Sequence, residues 1–101
     1  IGHSTEQALA ELRPDKVSIG TRAISRDQGL TNDYLPETLT DRAILNAGRQ
    51  TIIVADHTKC GVIATAFLAP LSAMNILVTD GQTETGFINA LRDEGIEVIV
   101  A

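Results

Sequence analysis

The sequence predicts an α/β fold built on a mostly parallel sheet flanked by helices. Two short runs, residues 51–55 (TIIVA) and 76–79 (ILVT), are almost wholly apolar, as strands covered on both faces of a parallel sheet tend to be. Strand-like runs alternate along the chain with stretches of helical apolar spacing, which is the order of βαβ units. The 101 residues are 44% hydrophobic and 21% charged, an ordinary balance for one globular domain or part of one. Aromatic residues make up only 3%, so the core must be built from Ile, Leu, Val and Ala.

Taken in order, Ser4 followed three residues later by Gln7 has the spacing of a capping box. Ala8, Leu9 and Leu12 then supply a helical stripe that Pro14 ends. Val17 and Ile19 alternate with polar neighbours, predicting a short strand that stops at Gly20. Residues 21–33, rich in Gly, Thr, Asn, Asp and Arg, read as a long loop. Pro36 suits the first turn of a second helix, where its missing N–H costs nothing. Leu39, Ala43 and Ala47, with Ile44 beside them, give that helix its predicted buried side, and Gly48 its stop. Residues 51–55 form the next strand. Residues 61–75 are ambiguous, with a possible short strand at 66–69 before Pro70. A buried strand follows at 76–79. Phe87, Ile88 and Leu91 mark a third helix capped at Gly95, and residues 96–100 form the last strand. There is no internal repeat, low-complexity stretch or linker.

Composition excludes several classes of function. No apolar run approaches the roughly 20 residues of a membrane span, so no membrane partner is expected, and no signal peptide is visible. A net charge of −5 argues against this segment gripping a nucleic-acid backbone by itself. One Cys cannot form an internal disulfide, and a cytoplasmic setting is the default expectation.

In open parallel sheets, ligands bind beyond the carboxyl ends of the strands. Three predicted strands end in Gly20-Thr21-Arg22, Asp56-His57-Thr58-Lys59 and Asp80-Gly81-Gln82-Thr83, which should emerge on one edge. Lys and Arg with hydroxyl and backbone donors suit a phosphate, and carboxylates suit sugar hydroxyls. Plainer readings stand beside these. Lys59 reads equally as a solvated loop lysine, Asp56 as a turn cap, Arg22 as half of an ion pair and Asp80-Gly81 as a turn. Cys60 beside His57 evokes a nucleophile and base, but no third orienting group is evident, and no catalytic residue is expected. His57, Cys60 and Asp56 lack a second cluster at ligand spacing, so neither a metal nor another cofactor is expected.

An ordered set of matches adds to this reading. "SIGTRAIS", "GLT" (Gly29-Leu30-Thr31), "RAILNAGRQTIIVADHTKCG", "APLSAMNILVTD" and "EGIEVIVA" make the chain from Lys16 onward resemble the second half of the effector-sensing domain of DeoR-family transcriptional regulators. Residues 1–15 fit as the helix leading in. The resemblance implies a fold like ribose-5-phosphate isomerase and the coenzyme A transferases. It implies a repressor of sugar metabolism rather than an enzyme, with a phosphorylated sugar or related metabolite as ligand. DNA would be bound only through an N-terminal winged helix-turn-helix absent from this chain. The chain would then be a single partial domain, 1–101, without the first half of the sensor, and homo-oligomeric.

The related isomerases share an Asp-x-Ser-Lys turn whose Lys helps hold phosphate. By that resemblance Asp56, Thr58 (for the Ser) and Lys59 become pocket residues, with Gly20, Thr21, Arg22 and the Gly29-Leu30-Thr31 segment around them. Many relatives have Gly-Ala-Asp-Gly-Ile where this chain has Gly20 to Ile24. Arg22 replaces the Asp that would line the pocket, and Ala23 the second Gly. An always-charged Arg cannot be the base that moves a proton between carbons, which weighs against an isomerase. Cys60, where relatives often carry Phe, reads as a packing change.

Overall fold

The structure, a computed structural model, describes residues 15–101. The helix predicted between Ser4 and Pro14 lies outside those residues. Strand β1 (Lys16–Gly20) is followed by β2 (Ala23–Ser25) and β3 (Gly29–Asn32), then helix α1 (Leu35–Ala47) and β4 (Gln50–Val54). A 3-10 turn (His57–Lys59), β5 (Ala66–Ala69) and a second 3-10 turn (Leu71–Ala73) lead to β6 (Ile76–Thr79), α2 (Thr85–Asp93) and β7 (Glu97–Val100). Four of the strands form one sheet in the order β1-β4-β6-β7, parallel throughout. The predicted α/β class and parallel sheet are therefore observed.

The order runs in one direction, and parallel connections are right-handed almost without exception, so everything between the strands falls on the same face. Burial follows that rule. The register row Ile19, Ile53, Leu77 and Val98 lies on the covered face, where it packs with Leu45 of α1 and Ile88 and Leu91 of α2. The adjacent row Val54, Val78 and Ile99 is half-open, with Val54 at 50% exposure. The runs at 51–55 and 76–79, predicted to be covered on both faces, are thus fully buried only at alternate residues.

A second, antiparallel sheet, β2-β3-β5, corrects the reading of residues 21–33 as a long loop. Ser25 and Gly29 pair across a three-residue connection, and the Ser25 hydroxyl accepts the Gln28 N–H at 2.9 Å. Gly29 closes it with φ of 74°, the left-handed residue that three-residue hairpin loops use. A Cβ there would also stand 2.5 Å from the Ala69 carbonyl oxygen, so this position excludes a side chain twice over. Ile24, Leu30 and Leu68 drive the sheet into the common core, where each is at most 1% exposed. The connection from β4 to β6 contains no long helix; it leaves the parallel sheet to supply β5.

Helix α1 starts with Pro36 in its first turn, as predicted, and ends at Gly48. Its buried residues are Thr38, Thr40, Leu45 and Ala47, while Leu39 is exposed and Ala43 and Ile44 are half-buried. The predicted buried stripe is therefore rotated. Threonine tolerates the core here because the Thr38 hydroxyl donates to the Tyr34 carbonyl at 2.8 Å. Helix α2 ends as predicted, with Gly95 at φ of 87° just beyond it.

Candidate functional site

Because β1, β4 and β6 are parallel neighbours, their carboxyl ends open on one edge. The three loops predicted to meet there do meet. After β4, Asp56 turns the chain: its carboxylate accepts the Thr58 N–H at 2.8 Å and the Thr58 hydroxyl. The hydroxyl bond, then the backbone bond, hold its carboxyl below the usual aspartate range. The Lys59 ammonium stands 3.2 Å from the Thr58 oxygen and 4.0 Å from Asp56. Asp56 does cap the turn, and through that cap it sets Thr58 and Lys59.

The loop after β6 locks this turn from the other side. Asp80 accepts the His57 N–H at 2.8 Å, the His57 imidazole at 2.9 Å and the Gln82 N–H at 2.8 Å. The His57 backbone bond, then the imidazole bond, bring its carboxyl down to about 2. The Gly61 N–H donates to the Ile24 carbonyl at 2.7 Å, tying the end of the turn to β2. Asp56, His57 and Asp80 are the one described group with metal-ligand atoms mutually within 4.8 Å. Their atoms already serve the turn, and the adjacent Lys59 ammonium repels a cation. Cys60 has its thiol 3.7 Å from the Asp56 carbonyl, and burial pushes its pKa up, the wrong direction for a nucleophile.

Lys59 faces a cleft of about 290 Å³ lined also by Gly20, Thr21, Arg22, Asn32, Glu37 and Asp41. Thr21 and Asn32 frame it. The buried Thr21 hydroxyl stands 3.1 Å from the Thr31 carbonyl oxygen. The Asn32 side-chain oxygen accepts the Arg22 N–H at 3.0 Å, and its NH2 donates to Asp41 at 3.2 Å. Burial, with the charge of Glu37, raises the Asp41 carboxyl above its ordinary value despite that bond.

A family model described as the DeoR C terminal sensor domain matches residues 1–81. The chain belongs to that family. It is 32% identical over 99% of its length to a glycerol-3-phosphate regulon repressor of Haemophilus influenzae. Identity is 29% over 98% of the chain to the HTH-type transcriptional repressor GlcR of Bacillus subtilis, and 25% over 92% to the HTH-type transcriptional regulator GolR of Listeria innocua. The chain spans about two-fifths of the length of these relatives, 37% to 39%.

Within this sensor domain, Gly20, Thr21, Arg22 and Lys59 share the cleft, while Asp56 and Thr58 support it from the turn. Arg22 also has the ion pair its plainer reading anticipated, 3.8 Å from Asp33. The Gly29-Leu30-Thr31 segment lies outside the cleft lining. Gly29 shapes the hairpin, Leu30 is in the core at 0% exposure, and the Thr31 hydroxyl accepts the Ala64 N–H at 2.8 Å. Asn32, Glu37 and Asp41 are cleft residues that the sequence reading did not single out. The one signal for them was an acid pair spaced i, i+4 just after Pro36.

Proposed function

We propose that this chain is the effector-binding part of a DeoR-type repressor of carbohydrate metabolism, and that the cleft beside Lys59 receives a phosphorylated sugar. The observation that carries the reading is the meeting of Lys59 and Arg22, from two different strand ends, on one cleft lined also by Gly20 and Thr21. An ammonium and a guanidinium lining one cleft are donors a phosphate monoester needs. Asp56 keeps Thr58 and Lys59 in position, and Asp80 holds the turn against the neighbouring loop. The relatives' names add repression and, for the Haemophilus influenzae protein, a glycerol-3-phosphate regulon.

DNA is bound through a helix-turn-helix module elsewhere in the longer protein, as the names of the relatives suggest. The ligand then acts by favouring one arrangement of an oligomer over another, which requires that it bind the two arrangements with different affinity. Thermal unfolding of the intact protein with a panel of sugar phosphates, each paired with its unphosphorylated sugar, tests the reading. At about 100 times its dissociation constant, the effector stabilises the fold by roughly 2.7 kcal/mol. The expected result is an upward shift with one phosphorylated ligand and none with its parent sugar. Equal shifts from a sugar and its phosphate, or none from any phosphate, would overturn it.

A further inference from the structure

The cleft carries both signs of charge, and its anionic side is left unneutralised. Lys59 turns to Asp56 at 4.0 Å, and Arg22 to Asp33 at 3.8 Å. Among the described residues, neither Glu37 nor Asp41 has a cation within ion-pair distance, although two cations line the same cleft. The two acids sit one turn apart on α1, a spacing at which like charges repel. That repulsion is visible in Asp41, whose carboxyl is raised by burial and by Glu37.

Asp41 is also held in place. Asn32, 7% exposed, donates to one Asp41 oxygen while accepting the Arg22 N–H, so the acid is fixed relative to the loop that carries a cleft cation. Two carboxylates without an ion-pair partner among the described residues, one of them held by Asn32, line the same small cleft as two cations, a set complementary to a dipolar molecule. A hydroxyl would give these carboxylates a hydrogen bond and leave both charges unmet. An ammonium supplies the hydrogen bonds and the charge together. The volume, at the small end of ligand pockets, suits one monosaccharide phosphate or something smaller.

We infer that the cleft selects a phosphate monoester carrying a primary ammonium, with Lys59 and Arg22 on the phosphate and Glu37 and Asp41 on the nitrogen. This rests on the phosphate reading above and narrows it. The chemistry is shared by amino-sugar phosphates and amino-alcohol phosphates.

Calorimetric titration of the intact protein separates the possibilities. The probes are glucosamine 6-phosphate and galactosamine 6-phosphate, their parent hexose 6-phosphates, their N-acetyl forms, and ethanolamine phosphate. A free amine is expected to bind about tenfold tighter than its hydroxyl or N-acetyl counterpart. Glu37→Gln, on an exposed side chain, should bring the affinity of the free amine down to that of its hydroxyl counterpart. Asp41→Asn should do the same, and Glu37→Gln decides the matter if Asp41→Asn disturbs the fold. Ethanolamine phosphate binding as tightly as the hexosamine phosphates would assign the amino-alcohol source; much weaker binding would assign the amino sugar. Hexose phosphates binding as well as their amines would overturn this inference and leave the phosphate site standing. No binding by any phosphorylated probe would overturn both.

Discussion

Asp80 does more than tighten the turn after its strand. One carboxylate accepts from the backbone and the imidazole of His57 and from the backbone of Gln82, joining the loops after β4 and β6. A test follows from its titration. Folded Asp80 keeps its charge down to about pH 2, whereas an unfolded aspartate takes up a proton near 3.9. Between those values the unfolded state binds more protons, so the contribution is complete above about pH 4 and is lost as pH falls toward 2. Urea unfolding across pH should show wild type more stable than Asp80→Asn at pH 6, with the gap closing on acidification. A gap unchanged down to pH 2 would contradict the assignment. Asp80 was legible as a turn residue, because Asp-Gly after a strand is a turn signal. Its bond to His57 was not, since it depends on which strand lies beside β4.

At the scale of elements, α1 and the second sheet bring half of the cleft. Arg42 clamps them together, donating to the carbonyl of Leu68 at 3.0 Å and to that of Phe67, with its guanidinium 5.9 Å from the Phe67 ring centroid. These are carbonyls of β5, an edge of the second sheet. Arg42→Ala should destabilise the protein by about 1–3 kcal/mol through the lost charge-assisted bonds, and amide exchange should quicken first along β5. Stability and exchange both unchanged would show the clamp to be idle. The parallel strands were readable because apolar runs such as ILVT identify themselves without knowledge of their neighbours. The hairpin was not. Ala23–Ser25 and Gly29–Asn32 are three and four residues long and buried throughout, so they show no alternation of polar and apolar residues. The buried side of α1 was misjudged for a related reason: Thr38 is buried by satisfying its own hydroxyl, while Leu39 is left exposed.

For the whole molecule, the direction of the strand order decides where the cleft opens. It leaves one face half-open, covers the other, and gathers the ends of β1, β4 and β6 on one edge. The general rule for parallel sheets therefore anticipated that Gly20, Thr21, Arg22 and Lys59 line one cleft. Asn32, Glu37 and Asp41 escaped because the hairpin and α1 deliver them, and only the three-dimensional arrangement turns them to the same cleft. Phosphate binding at Lys59 is tested by titrating the sugar phosphate that stabilises the intact protein into three forms: wild type, Lys59→Ala and Lys16→Ala. Lys16 begins β1, at the opposite end of the sheet from the cleft, and serves as the charge-matched control. Binding at least about tenfold weaker is expected for Lys59→Ala, and unchanged binding for Lys16→Ala. Equal affinity of Lys59→Ala and wild type would contradict phosphate binding at Lys59.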